Sequence, residues 1–337
     1  MVHLKNGKVS RKEVSEKANV SPSTVSRALS DHPAIPQSTK NRIKKIAREL
    51  GYIPSQIGKS FNQKKSFRLG LVVPFKYEGI LETISPNYMS NIIYGILVSA
   101  SKKNYSLNIV ADLNLDAKGL EALVLSHQVD GLIFPRPKIS DRRFAYLYKN
   151  KVPFIFIHHY VKNRPYLYVD CDPKPGMQAA FRYLAGLNVS KVSFLSGGDQ
   201  YINSIDRKKI FQELSALHKM KICQIIDGNF SKASGIEAAS GFIAEGKPDA
   251  ILCTNDRMAF GLVQELKERN IRIPEDIRVL GFDNEYISTL AAPHLTTIDN
   301  SFSQLGQLAG EKLIASINGK KVESEQIRTK LIIRASA

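Results

Sequence analysis

From residue 68 onward the chain repeats one pattern: a short apolar run, a polar break, then a stretch with apolar residues at helical spacing. The runs are RLGLVVPF (68–75), YSLNIVAD (105–112), VDGLIF (129–134), VPFIFIH (152–158), KVSFLSG (191–197), KICQIIDG (221–228), DAILCTN (249–255) and IRVLGFD (277–283). Between most of them lie amphipathic segments such as 87–104 and 303–319. Continuous apolar runs mark strands buried on both faces, and alternation with helices makes the sheets parallel. Eight such units exceed one comfortable open sheet, so the pattern predicts an α/β body of two Rossmann-like lobes with a cleft between them.

The 337 residues leave room for one small domain ahead of that body. Ordinary apolar and charged fractions, 43% and 23%, argue against disorder and against a membrane protein. No run approaches the ~18 apolar residues of a membrane span, and MVHLKNGKVSRK lacks the apolar core of a signal peptide, so a cytoplasmic protein is expected. Cys171, Cys223 and Cys253 are odd in number and lack ligand or disulfide spacing, which predicts buried thiols acting as small hydrophobes.

Charge separates the N-terminal segment from the rest. Of a net +17, residues 1–68 contribute 15 Lys/Arg against 4 Asp/Glu. A basic block of this kind points to a polyanion, nucleic acid above all. Within it, Ser10 and Glu13 form a capping-box pattern, Ser21 and Pro22 suit the start of a second helix, and Gly51 stops a third. Three short helices within about forty residues match a helix-turn-helix. In VSPSTVSRALSDHP (20–33), Val20, Val25 and Leu29 turn inward, which presents Ser23, Ser26 and Arg27 outward. Small hydroxyls allow close approach to a sugar-phosphate backbone, and one arginine can pair bidentately with guanine in the major groove. Residues 52–67, polar, basic and broken by Pro54 and Gly58, read as a linker.

Catalytic and cofactor motifs fail on inspection. GFIAEGK (241–247) begins like a phosphate loop, but Pro248 stands where the loop needs a hydroxyl, and SGGDQ (196–200) lacks the full dinucleotide fingerprint. His158-His159 and Asp170-Cys171-Asp172 lack helical ligand spacing, so no metal is expected. With no activated nucleophile and no cofactor motif, the reading is a binding protein, not an enzyme. Asn255 and Asp283 end predicted strands, where open α/β sheets bind small ligands.

Taken together, VSPSTVSRALSDHPAIPQSTKNRIKKIARELGYIP, VDGLIF, TNDRMAFG, IRVLGFDN and HLTTIDNSFSQLGQLA resemble the lactose/galactose repressor family of bacterial transcription regulators, over essentially the whole chain. The resemblance implies a helix-turn-helix headpiece (1–51), a hinge helix (52–67) and a periplasmic-binding-protein-like core (68–337) that dimerises and binds an effector. Its first lobe would comprise about 68–168 plus 300–325, and its second about 169–298 plus 326–337. Operator contacts would fall to Ser21, Pro22, Ser23, Thr24, Ser26, Arg27 and Thr39 in the headpiece, and to Gly58 and Phe61 in the hinge. Phe61 stands where the family usually has a leucine wedge, and Gly58, replacing alanine, costs about 1 kcal/mol of helix propensity. Phe75, His158, Asn203, Arg207, Phe230, Asn255, Asp283 and Phe302 would surround the effector, expected to be a sugar or sugar derivative. The implied function is a homodimeric repressor on a near-palindromic double-stranded operator. The alternatives are a solute-binding protein, which would carry a signal peptide and no basic headpiece, or an α/β enzyme with a basic extension.

Overall fold

The computed structural model describes residues 9–52, 65–74, 86–244 and 246–337. It divides into two compact units, Met1–Ser66 and Phe67–Ala337. The first unit contains α1 (Arg11–Lys17), α2 (Pro22–Leu29) and α3 (Gln37–Leu50). Ser10 and Glu13 close the capping box, Ser21 caps α2 ahead of Pro22, and Gly51 ends α3 in the left-handed conformation at φ 69°. Val14, Ala18, Val25, Ala28, Ile43 and Ala47 form its core, with Val20 and Leu29 packed half-buried against them. Of the expected hinge (52–67), residues 53–64 lie outside the described ones, as do Gly58 and Phe61 within it and Phe75 beyond it.

The second unit runs β1 (Arg68–Pro74), α4 (Pro86–Ser101), β2 (Ser106–Asp112), α5 (Ala117–Leu125), β3 (Gly131–Pro135), α6 (Arg143–Lys149), β4 (Phe154–Ile157) and β5 (Tyr168–Asp172). It continues with α7 (Pro173–Gly186), β6 (Lys191–Ser196), α8 (Ile202–Leu217), β7 (Lys221–Asp227), α9 (Lys232–Ala244), β8 (Ala250–Cys253), α10 (Asp256–Glu268) and β9 (Arg278–Leu280). The last elements are α11 (Ile287–Leu290), β10 (Thr297–Asp299), α12 (Phe302–Ile317), β11 (Glu325–Arg328) and β12 (Lys330–Ile332).

These strands make two parallel sheets, ordered β11-β5-β4-β3-β1-β2 and β7-β6-β8-β9, and an antiparallel pair, β10-β12. Each of the eight apolar runs contains a strand, as their unbroken apolar character requires for a sheet with helices on both faces. The lobe limits need correcting. Residues 168–172 and 325–328 belong to the first sheet, because β5 pairs in parallel with β4 and β11 with β5. YVDCD and EQIR carry too much charge to read as strands, and they become strands by extending an existing edge.

Strand order reverses between β1 and β3 in the first sheet and between β6 and β8 in the second. Such reversals open a crevice at the carboxyl ends of the strands. Helix pairs cover the sheets at very short range. A Cβ on Gly95 of α4 would lie 2.7 Å from the Gln307 backbone nitrogen and closer still to the Ser303 carbonyl of α12.

Candidate functional site

In the headpiece, Ser21, Pro22, Ser23 and Arg27 are exposed, while Thr24, Ser26 and Thr39 are half-buried. The Ser21 hydroxyl accepts from the Thr24 amide at 3.1 Å and contacts the Ser23 hydroxyl at 2.7 Å. Ser26 accepts from Arg11 Nη1 at 3.0 Å, which draws a second cation to the edge of α2. The start of α2 thus offers partial positive charge and small hydroxyls, a combination that suits phosphate, with Arg27 one to two turns further along.

The cleft of the core unit gathers residues from the ends of many elements. His158, Asn203, Arg207, Asn255, Asp283 and Phe302 line it, together with Tyr88, Arg136, Glu285 and Asn300. Arg207, on α8, is 2% exposed. Its Nη1 donates to the Thr254 carbonyl at 2.6 Å and lies 3.5 Å from Asp283 Oδ1, and its guanidinium carbon sits 3.5 Å above the Phe282 ring. Asn300 Nδ2 donates to the same carboxylate at 2.8 Å. Burial pushes the Asp283 carboxyl up to about 7, and the opposing pull of Arg207 does not cancel it. Burial likewise lowers His158, against the raising influence of Asp170, so its imidazole stays uncharged near neutrality.

Two expected contacts take a different form. Asn255 caps α10: its Oδ1 accepts from the Met258 amide at 2.9 Å and its Nδ2 donates to the Phe230 carbonyl at 3.0 Å. Its side chain therefore serves largely to hold the local backbone. Phe230 is 1% exposed, and the Arg136 guanidinium covers its ring at 4.4 Å.

Among the described residues, four buried polar atoms of the lining have no hydrogen-bond partner: His158 Nε2, Asn203 Oδ1, Arg207 Nε and Asn300 Oδ1. Buried polar groups are nearly always paired, so four orphans converging on one cleft mark a place prepared for a polar ligand. His158 Nδ1 faces Asp170 Oδ1 at 3.0 Å, and the uncharged ring then presents Nε2 as an acceptor. Three acceptors and one donor match a molecule rich in hydroxyl groups. The free volume left between these side chains is about 10 Å³, room for roughly one water, so a larger ligand needs side chains or lobes to move.

His158, Asp170 and Cys171 also bring potential metal-ligand atoms within 4.8 Å of one another, a proximity their spacing in the chain concealed. The local chemistry opposes a cation there. Burial raises the Cys171 thiol, and Arg207 Nη2 already lies 3.9 Å from its sulfur.

Tyr88, Arg136, Glu285 and Asn300 escaped the sequence reading. Arg136 follows β3 directly, so the rule that selects strand ends would have found it. The other three lie on a helix or in connections whose proximity to the cleft comes from tertiary packing.

Two family models match the chain: bacterial regulatory proteins of the lacI family over residues 11–55, and a periplasmic binding protein-like domain over residues 181–337. The probable HTH-type transcriptional repressor ExuR of Bacillus subtilis strain 168 is 27% identical, over 97% of this chain and 98% of its own. The HTH-type transcriptional repressor CytR of Escherichia coli K12 is 27% identical over 96% and 95%. Among solved structures, the lac repressor dimer bound to operator and the anti-inducer ONPF superposes with a TM-score of 0.80 at 23% identity, covering 98% of this chain and 99% of that one. The transcriptional regulator CelR in complex with cellobiose gives 0.73 at 20% identity, over 98% and 100%. The chain thus carries a lacI-family regulatory domain over residues 11–55 and a periplasmic binding protein-like domain over residues 181–337, and it is similar along nearly its full length to transcriptional repressors.

Proposed function

We propose that this protein is a transcriptional repressor that binds a near-palindromic operator as a homodimer and reads a sugar or sugar derivative in the cleft of its core. The DNA half of the reading is supported by α2, whose exposed Ser21, Ser23 and Arg27 stand on a basic three-helix unit. Arg27 reads a base pair, while Ser21, Thr24, Ser26 and Thr39 sit near phosphates.

The single observation that carries the effector half is the set of four buried, unpartnered polar atoms on His158, Asn203, Arg207 and Asn300. They suit hydroxyl groups, and the lac repressor and CelR structures, whose core has this fold, were solved with ONPF and cellobiose. A ligand that engages both lobes changes their relative geometry, and a coupling of about 1–3 kcal/mol is the ordinary scale for passing such a change to a second site.

Dimerisation is supported by exposed apolar side chains on α4, Tyr94 and Leu97, and on and beside α11, Tyr286 and Leu290. No helix among the described residues is long and apolar enough to cross a membrane, and the operator places the protein's work in the cytoplasm. The test is selection of duplexes from a randomised DNA pool by the purified full chain at ~0.15 M salt. Enrichment of a near-palindrome is expected. Binding that stays blind to sequence, with and without sugars present, overturns the reading.

A further inference from the structure

The lobes of the core meet across a cleft of about 10 Å³, so the contacts that tie one lobe to the other decide how readily it opens. We propose that Tyr160 and Asp206 form a latch between the lobes, beside the effector site and not in it, that holds the cleft closed and keeps His158 and Arg207 in register.

Each half of the pair is anchored in its own lobe. Tyr160 lies in the connection from β4 to β5, both strands of the first sheet, and its ring packs against that of Tyr168 with centroids 5.8 Å apart. Asp206 is on α8, which connects β6 to β7 of the second sheet. The tyrosine hydroxyl donates to both carboxylate oxygens, at 3.0 Å to Oδ2 and 3.2 Å to Oδ1. Hydrogen bonds to a carboxylate belong to the stronger class, and both residues are half-buried, which limits competition from water. The neighbouring cations of α8 are engaged elsewhere. Arg207 pairs with Asp283, Lys208 with Asp199 and Asp227, and Lys209 with Glu213, so none of the three draws Asp206 from the tyrosine into an ion pair among the described residues.

Position in the chain gives the pair its leverage. Tyr160 lies two residues after His158, and Asp206 immediately precedes Arg207, so the latch joins the two segments that bring those side chains to the cleft. Neither Tyr160 nor Asp206 lines the cleft itself. Other crossings lie within the lining and must be rearranged by whatever enters: Arg207 Nη2 is 3.9 Å from Cys171 Sγ, and Arg136 packs over the Tyr201 and Phe230 rings. The latch need not be exchanged for ligand contacts. It adds to closure without choosing the ligand, and apparent affinity scales with the population of the closed, binding-competent form.

The molecule carries its own reporter of opening. The Ile139 amide, in the connection after β3, donates to the Gln200 carbonyl, in the connection after β6, at 3.1 Å. This second bond also crosses between the lobes, so its proton exchanges with solvent when they part. The Leu132 amide donates to the Pro153 carbonyl at 2.9 Å within the first lobe and is the control, since lobe opening leaves it protected.

The experiment measures hydrogen exchange, resolved to single amides, on the full chain and on Tyr160→Phe, Asp206→Ala and the double variant. No ligand is added, so the outcome is independent of the sugar reading. Tyr160→Phe keeps the ring on Tyr168 and removes only the hydroxyl, and circular dichroism verifies that each variant is folded. Exchange at Ile139 is expected to accelerate about tenfold in either single variant, the scale of one hydrogen bond to a charged group, with Leu132 unchanged. The double variant should exchange no faster than the singles, because all three remove the same bond. Unchanged exchange at Ile139 in Tyr160→Phe overturns the latch. So does equal acceleration at Ile139 and Leu132, which is a general loss of stability, or additive effects in the double variant.

Discussion

Arg207 Nη1 stands 3.5 Å from Asp283 Oδ1, with side chains only 2% and 10% exposed. Two charges withdrawn from water must either satisfy each other or be satisfied by a ligand, so this pair is the pivot of the cleft. Removing one partner of such a pair costs about 3–5 kcal/mol, because the other is left buried and uncompensated. Asp283→Asn keeps the shape and an acceptor for Asn300 while deleting the charge. We expect it to weaken effector binding about hundredfold, which is roughly 2.7 kcal/mol, with effector-free operator binding unchanged. Fluorescence anisotropy on labelled operator, with and without effector, measures both. A variant that responds normally removes Asp283 from the site.

The same carboxyl predicts a pH dependence. Burial holds Asp283 at about 7, against an ordinary 3.8. Its fold-linked contribution to stability is therefore present below about 3.8 and is lost as pH rises through about 7. Effector binding runs the other way, because hydroxyls need the ionised acceptor. Affinity should be about tenfold weaker at pH 6 than at pH 8, since the ionised fraction changes by that factor around a value of 7. Burial lowers His158 against the raising influence of Asp170, so its titration is displaced to the acid side of that of Asp283. A flat profile in wild type, or one unaltered in Asp283→Asn, assigns the titration elsewhere.

The headpiece was legible because its signals are local. The Ser10–Glu13 box, the Ser21-Pro22 start and the Gly51 stop each act within one helical turn, and the structure realises all three. Strands β5 and β11 were not legible, because their pairing partners and not their own composition make them strands. The cleft divides in the same way. Asp283 could be read from its position after a strand, but the seating of Arg136 on Phe230 depends on residues from two sheets meeting. No spacing in the chain encodes that encounter. Asn255 shows the converse: its position pointed to a ligand, and its hydrogen bonds point mainly to a helix cap.

Arg27 carries the prediction for DNA. It is exposed near the end of α2, whereas Ser21 and Ser23 are hydrogen-bonded to each other at its start. Short hydroxyl side chains hold register on phosphates, so base discrimination falls to the arginine. Arg27→Ala should cost about 1–3 kcal/mol of operator affinity while leaving binding to random duplex, measured at the same salt, nearly intact. Equal losses on both duplexes would make Arg27 a phosphate contact.

The last prediction concerns the scaffold that holds the cleft. Tyr88 on α4 and Phe302 on α12 meet edge to face at 4.8 Å, so the aromatic part of the lining depends on how closely those two helices approach. That approach is set by Gly95 and Gly306, where an added Cβ would overlap the Ser303 and Ile92 carbonyl oxygens of the facing helix. Gly95→Ala must push backbone against backbone, which no rotamer change relieves. A loss of about 1–3 kcal/mol or more is expected, equivalent to roughly 2–12 °C in Tm for a unit of this size. Gly186, in the last turn of α7, has nothing within 4 Å of its would-be Cβ. Gly186→Ala should therefore be neutral or stabilising by about 0.5–1 kcal/mol, through the entropy of the unfolded chain. Thermal melts of the two variants should move in opposite directions or differ by several degrees. Gly95→Ala should also weaken effector binding, because Tyr88 and Phe302 separate with the helices that carry them. If the two melts coincide, the close helix crossing does not set the stability of the core.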